Sequence, residues 1–191
     1  MQVSRRKSTF LFFGQMIFNI EEKIIYLRYK LEEKFMKVLF RDKDEELNVL
    51  LKENEVLSNF VVVDSNLEEV SLNNIKGKKI ILSIPSVDTG VCSLELSKFI
   101  HFVEEINVKL ISVSMDLPFA LRRWCQNNGE NIIATSDFRY HDFNSVTGLL
   151  MKNGLFSRSV ILLDENNKIE YLEIVENTHS EPNYKNVLKL L

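Results

Sequence analysis

The run Ile80-Ile81-Leu82-Ser83-Ile84 is apolar on both faces of a strand and leads through a short turn into a helical pattern. A strand buried on both sides needs a layer above and a layer below it, as the inner strand of a parallel sheet has. The turn, Pro85-Ser86-Val87-Asp88-Thr89-Gly90-Val91-Cys92, delivers one of the chain's two cysteines to the start of the helix that follows. From Ser93 to Ile106, residues Leu96, Phe99, Ile100, Val103 and Ile106 share one stripe, the pattern of a helix lying on a sheet.

The alternation continues downstream. Val108 to Val113 reads as a buried strand and Leu117 to Asn127 as a helix, with Pro118 in the first turn where its missing N–H costs nothing. Ile132 to Thr135 is a short strand, and Phe138 to Val146 a helix that Gly148 ends. Ser159 to Leu163 and Lys168 to Val175 flank the turn sequence Asp164-Glu165-Asn166-Asn167, a hairpin signal. Pro182 is expected in the first turn of a last helix, Asn183 to Leu191. Upstream, Lys37 to Phe40 and Leu47 to Leu51 form a leading hairpin with Arg41 to Glu46 as its charged turn, and Phe60 to Val63 is a strand. Parallel βαβ units, an antiparallel hairpin and a covering helix predict an α/β chain with a mixed central sheet flanked by helices. That is thioredoxin-like architecture, here with an N-terminal hairpin.

A chain of 191 residues can bury one sizeable core. Seven basic and four acidic side chains fall in residues 1–35, and 17 and 23 in the remainder. The formal net charge of −3 draws no polyanion, so nucleic acid is not an expected partner. Arg5-Arg6-Lys7 before Phe10 to Phe18 has the order of a secretion signal, but the apolar run is short and broken by Gln15. Residues 1–35 are therefore read as an appended extension and 36–191 as the compact domain, with no membrane anchor. Two cysteines do not make an extracellular disulfide scaffold; they suit a reducing, cytoplasmic setting where a disulfide is transient and catalytic. His101, His141 and His179 are scattered without metal-ligand spacing, and no glycine-rich phosphate loop is present, so neither a metal nor a cofactor is expected.

Cys92 is the candidate nucleophile. Unpaired N–H groups and the positive end of the dipole at a helix N-terminus both stabilise a thiolate. The plain alternative is a small buried hydrophobe, as most cysteines outside disulfides are. Thr89 brings a hydroxyl one turn before it, to contact a substrate oxygen, to cap the helix, or both. Cys125 lies 33 residues downstream, too far for a CxxC loop, and the separation suggests an attacker and a resolver. In Leu121-Arg122-Arg123-Trp124-Cys125-Gln126 it reads equally as an inert helix residue.

The turn through Cys92 resembles the signature of peroxiredoxins, and its wording is similar to that of the bacterial thiol peroxidases. Ser114-Met115-Asp116-Leu117-Pro118-Phe119-Ala120 followed by Arg123-Trp124-Cys125 resembles that subfamily's resolving-cysteine segment. Ser136-Asp137-Phe138-Arg139, Arg158-Ser159-Val160 and Glu181-Pro182-Asn183-Tyr184 match in order and approximate spacing, so the resemblance spans residues 36–191. It implies a thioredoxin-recycled peroxidase for hydrogen peroxide and organic hydroperoxides, acting as a homodimer. It assigns Cys92 the attack, Cys125 an intramolecular disulfide with it, Thr89 the peroxide contact, Arg158 the cation and Pro85 a shield against water. Two stretches depart from the pattern. Glu55 to Phe60 lacks a proline, and Gly148 to Arg158 is shorter than in the family, which bears on how Arg158 is placed. Leu149, Leu150, Met151, Leu155 and Phe156 either line an apolar mouth or cover the core. The rival classes are a thioredoxin-fold binding or redox-sensing protein that has lost turnover, and a disulfide reductase, which normally needs the absent CxxC.

Overall fold

A computed structural model describes residues 35–191 apart from Glu105 and Glu130; the extension expected over 1–35 lies, but for Phe35, outside them. In chain order the strands are β1 (Phe35–Phe40), β2 (Lys43–Asn48), β3 (Val61–Asp64), β4 (Glu69–Ser71), β5 (Lys79–Ser83), β6 (Lys109–Ser114), β7 (Ile133–Ser136), β8 (Ser159–Leu163) and β9 (Ile169–Ile174). The helices are α1 (Gly90–Val103), α2 (Pro118–Asn128), α3 (Asp142–Thr147) and α4 (Tyr184–Leu188). β1 and β2 form a separate hairpin, and the rest make one sheet ordered β4-β3-β7-β6-β5-β8-β9. β5, β6 and β7 run parallel, while β8 lies antiparallel against β5 and β9 against β8.

Alternate side chains of the inner strands feed two apolar layers. Ile80, Leu82, Leu110, Val160 and Leu162 pack with Leu96 and Phe99 of α1, Leu121 and Trp124 of α2 and Val187 of α4. Ile81, Ile111, Val113, Ile161 and Leu163 pack on the other side with Phe60, Phe143, Phe156 and the hairpin residues Val38 and Leu47. Each such side chain stabilises the fold by about 1.5–3 kcal/mol when buried. The apolar run of β5 is thus explained by a helical layer on one face and the hairpin with α3 on the other.

The structure bears out the mixed sheet, its flanking helices and the leading hairpin, and it moves several boundaries. The hairpin turn is Arg41-Asp42 alone, at φ 47° and 62°, a two-residue turn whose twist suits the flanking strands. Most of the expected charged turn is therefore strand β2, which tolerates charge because only Leu47 of its six residues is fully buried. β4 was not expected; three residues are too few to show an alternation. α3 starts at Asp142, not Phe138, because His141 sits in the left-handed region at φ 54° and the Asp137 carboxylate receives the N–H groups of Phe143 and Asn144. The last helix ends at Leu188, and Pro182 precedes its cap, Asn183, instead of lying in the first turn. Gly148 ends α3 at φ 68°, and a Cβ there would stand 1.8 Å from the Asn48 carbonyl oxygen, so β2 and α3 meet as closely as they do only through glycine. Leu149, Met151 and Phe156 are buried in the hairpin-side core, with Leu150 and Leu155 packed against it, so these residues cover the core.

Candidate active site

The C-terminal ends of β5 and β6 and the start of β8 converge at one edge of the sheet. Pro85, two residues past β5, is buried, and the chain then turns into α1. Asp116, two residues past β6, fixes that turn: its carboxylate accepts from Ser86 Oγ at 2.7 Å, from Val87 N at 2.8 Å and from Ser114 Oγ at 2.9 Å. A carboxylate receiving three donors is well satisfied, so Asp116 ties the loop. Thr89 is the N-cap of α1. Its Oγ1 donates to the Ser86 carbonyl at 3.2 Å and accepts from Cys92 N at 3.4 Å. The hydroxyl's capping role is thus present in the resting structure, and its exposed side leaves it in reach of a small substrate.

Cys92 is fully buried in the first turn of α1. The register Ser83↔Ser159 between β5 and β8 brings Arg158, the residue before β8, to the same edge. Its Nη2 donates to Cys92 Sγ at 3.2 Å, the guanidinium being 1% exposed. The shortened stretch before Arg158 therefore does not displace it from the cysteine. An arginine keeps its charge in such a setting and aims several donors at once.

Glu95, absent from the sequence reasoning, completes the cluster. It follows Cys92 by three residues, which puts both on one helix face, and that spacing was the available signal. Glu95 is fully buried; its Oε2 accepts from Arg158 Nη1, while its Oε1 meets no hydrogen-bond partner among the described residues. One cation thus serves a carboxylate and a sulfur.

Cys125 lies on α2, partly exposed, and packs against the same apolar layer as Cys92. No disulfide joins the two cysteines in this structure. α2 is tied to the start of α1 and the turn before it: Trp124 Nε1 donates to Ser93 Oγ at 2.9 Å, and Arg123 pairs with Asp88 at 2.6 Å. Beyond these, Lys98 of α1 donates to Glu181 and holds its carboxyl below the usual value. The structure brings Pro85, Thr89, Cys92 and Arg158 together at one sheet edge, with Cys125 on the adjoining helix.

Residues 52–188 match the Redoxin family model. Over 148 residues the chain is 40% identical to a thiol peroxidase of Streptococcus agalactiae, covering 74% of this chain and 90% of that protein. A thiol peroxidase of Clostridium acetobutylicum is 40% identical over 142 residues, 73% of this chain and 87% of its own length. Among solved structures, a peroxiredoxin-like protein from Aquifex aeolicus superimposes with a TM-score of 0.71 at 31% identity, covering 82% of this chain and 96% of that one. A thiol peroxidase from Chromobacterium violaceum gives 0.74 at 27% identity, covering 81% and 94%.

Proposed function

The chain belongs to the Redoxin family as a thiol-dependent peroxidase with the thioredoxin-like fold, and from that premise we propose that Cys92 is its peroxide-attacking thiol and Cys125 its resolving thiol. The observation that carries this reading is Arg158 Nη2 at 3.2 Å from Cys92 Sγ, on the floor of a turn rigidly tied by Asp116.

In the proposed cycle the Cys92 thiolate attacks the terminal peroxide oxygen, the O–O bond breaks, and water or an alcohol leaves with a proton. Cys92 is left as a sulfenic acid. Arg158 offsets the negative charge on sulfur and on the departing oxygen. The Thr89 hydroxyl and the N–H groups of the first turn of α1 orient the peroxide, as hydrogen bonds aimed at developing charge do. Pro85, which has no N–H to donate, keeps the buried side of the sulfur dry. The Cys125 thiol then condenses with the sulfenic acid, releasing water and forming the Cys92–Cys125 disulfide, which an external dithiol reduces by exchange. The reductant is a thioredoxin-type dithiol; we assign thioredoxin itself, residues 36–191 as the catalytic domain, a homodimer and a cytoplasmic setting as further parts of this reading.

The test is thioredoxin-coupled consumption of hydrogen peroxide and cumene hydroperoxide by the full chain. Cys92→Ser abolishes turnover. Cys125→Ser retains one oxidation per chain but forms no internal disulfide. Turnover that survives in Cys92→Ser, or an intrachain disulfide in Cys125→Ser, would sink the assignment.

A further inference from the structure

Besides its ion pair with Glu95, Arg158 hangs on a single backbone carbonyl. Its Nε and Nη2 donate to Thr178 O at 3.2 and 3.0 Å, and Nη2 also donates to Cys92 Sγ at 3.2 Å. Two bonds to one oxygen fix the plane of a guanidinium, and fixing that plane aims the remaining Nη2 hydrogen at the sulfur. Thr178 lies in the connection between β9 and α4, a segment without regular structure of its own. What steadies it comes from the far end of the chain. Thr178 N and Oγ1 both donate to Leu39 O, at 3.0 and 3.1 Å, and Leu39 N donates to Glu176 O at 2.6 Å. Leu39 belongs to β1 and makes a parallel bridge with Asn177. β1 is anchored in turn by Val38, 2% exposed, and β2 by the fully buried Leu47. The hairpin lies outside residues 52–188, the part matched by the family model, yet an unbroken series of hydrogen bonds leads from it to the reactive sulfur.

We propose that the N-terminal hairpin is a positioning element for the peroxide site, holding Arg158 in its aim through Leu39 and Thr178. The proposal rests on the reading of Cys92 and Arg158 given above. Without β1, Thr178 keeps its carbonyl but loses what orients it. A guanidinium displaced by about an ångström no longer meets both sulfur and departing oxygen, and misplacements of that size cost rate heavily.

The experiment measures the second-order rate of Cys92 oxidation by hydrogen peroxide in the full chain carrying Cys125→Ser, which isolates the first step. Thr178→Val keeps the side chain's shape and removes the Oγ1 donor; Thr178→Ser restores it. Val38→Ala loosens the hairpin from the core without touching Thr178. Thr178→Val slows oxidation about fivefold, the worth of one net hydrogen bond, and the serine variant recovers most of it. Val38→Ala slows it about twofold by a partial loss of the same restraint. In an Arg158→Gln background, itself slow, neither substitution has any further effect. Equal slowing in both backgrounds, or an unchanged rate in folded Thr178→Val and Val38→Ala, overturns the proposal and leaves the hairpin a cover for the core. An unchanged rate in Arg158→Gln alone overturns the reading of the site, and the proposal with it.

Discussion

Glu95→Gln asks whether a carboxylate and a sulfur share one buried cation. Arg158 and Glu95 are 1% and 0% exposed, so neither charge is relieved by water. Removing one partner of such a pair costs about 3–5 kcal/mol when it strands the other charge. The glutamine amide of this variant still offers an oxygen to Arg158 Nη1. Because Glu95 Oε1 has no hydrogen-bond partner among the described residues, an amide nitrogen in its place loses none either, and the substitution changes charge more than hydrogen-bond count. The guanidinium's other side-chain neighbour is Cys92 Sγ at 3.2 Å. When that sulfur is a thiolate it takes over as counterion, and the stability loss falls to about 1–2 kcal/mol, the scale of one charge-assisted hydrogen bond. In Cys92→Ser no such charge is available and the full loss appears. Urea unfolding of reduced wild type, Glu95→Gln, Cys92→Ser and the double variant at mildly alkaline pH gives the four corners of the cycle. The expected coupling is about 2 kcal/mol, well above the ~0.5 kcal/mol scatter of independent sites. Additivity within that scatter would show that sulfur and carboxylate do not share Arg158, and the electrostatic account of the cluster would fail. A second readout comes from the same proteins: Glu95→Gln frees the guanidinium for the sulfur, so iodoacetamide alkylates Cys92 faster near neutrality.

Two further outcomes follow from contacts already described. Trp124→Phe removes the Nε1 bond to Ser93 Oγ that joins α2 to the start of α1; losing about 1 kcal/mol of resting-state restraint speeds Cys92–Cys125 disulfide formation roughly fivefold. Quenched-flow mass analysis is the assay, since Trp124 is the chain's only tryptophan, and an unchanged or slower rate refutes the tether. Burial raises the Asp137 carboxyl above its ordinary 3.8, so the folded chain keeps that proton to higher pH than the unfolded one. Its contribution to stability is complete below the ordinary value and is lost as pH rises through the folded one, so the advantage of wild type over Asp137→Asn narrows as pH rises above about 4. Urea midpoints from there to neutrality check the sign; an advantage that widens with pH refutes it.

The legible parts of this chain are those where one local pattern had one use. The apolar run of β5, the stripe on α1 and the turn that carries Cys92 each announce strand, covering helix and reactive edge. Charge misled where it lay on a strand, since Lys43 to Glu46 look like a turn but form the exposed part of β2. His141 gave no warning that it would take a left-handed conformation and delay α3. Within the site, Glu95 was readable from its spacing to Cys92, whereas Thr178 was not: it acts through a main-chain oxygen, and any residue type supplies one. Arg158 needed the antiparallel register of β8 against β5 before its distance to Cys92 meant anything.

In the proposed cycle, the geometry that favours attack on peroxide opposes the Cys92–Cys125 disulfide that follows. A disulfide needs Cα atoms within about 7 Å, and Cys92 is fully buried in the first turn of α1, so that turn has to yield for the two sulfurs to meet. On the α1 side the turn is held by the Thr89 cap, by Arg158 on the sulfur and by the ties of Asp116 to the loop before it. On the α2 side Cys125 lies near the helix end, where Gly129 closes the last turn with a bond to the Cys125 carbonyl. Unwinding there gives up the bonds of the last turn, among them Gly129 N to the Cys125 carbonyl and Asn128 Nδ2 to the Trp124 carbonyl, but little burial, because the buried residues of α2, Pro118, Leu121 and Trp124, all precede Cys125. The end of α2 therefore opens more readily than the start of α1. The slower opening of α1 gives a sulfenic acid at Cys92 a period in which a second peroxide can reach it. Contacts that lock the first turn of α1 thus trade faster initial oxidation against greater exposure to sulfinic acid formation.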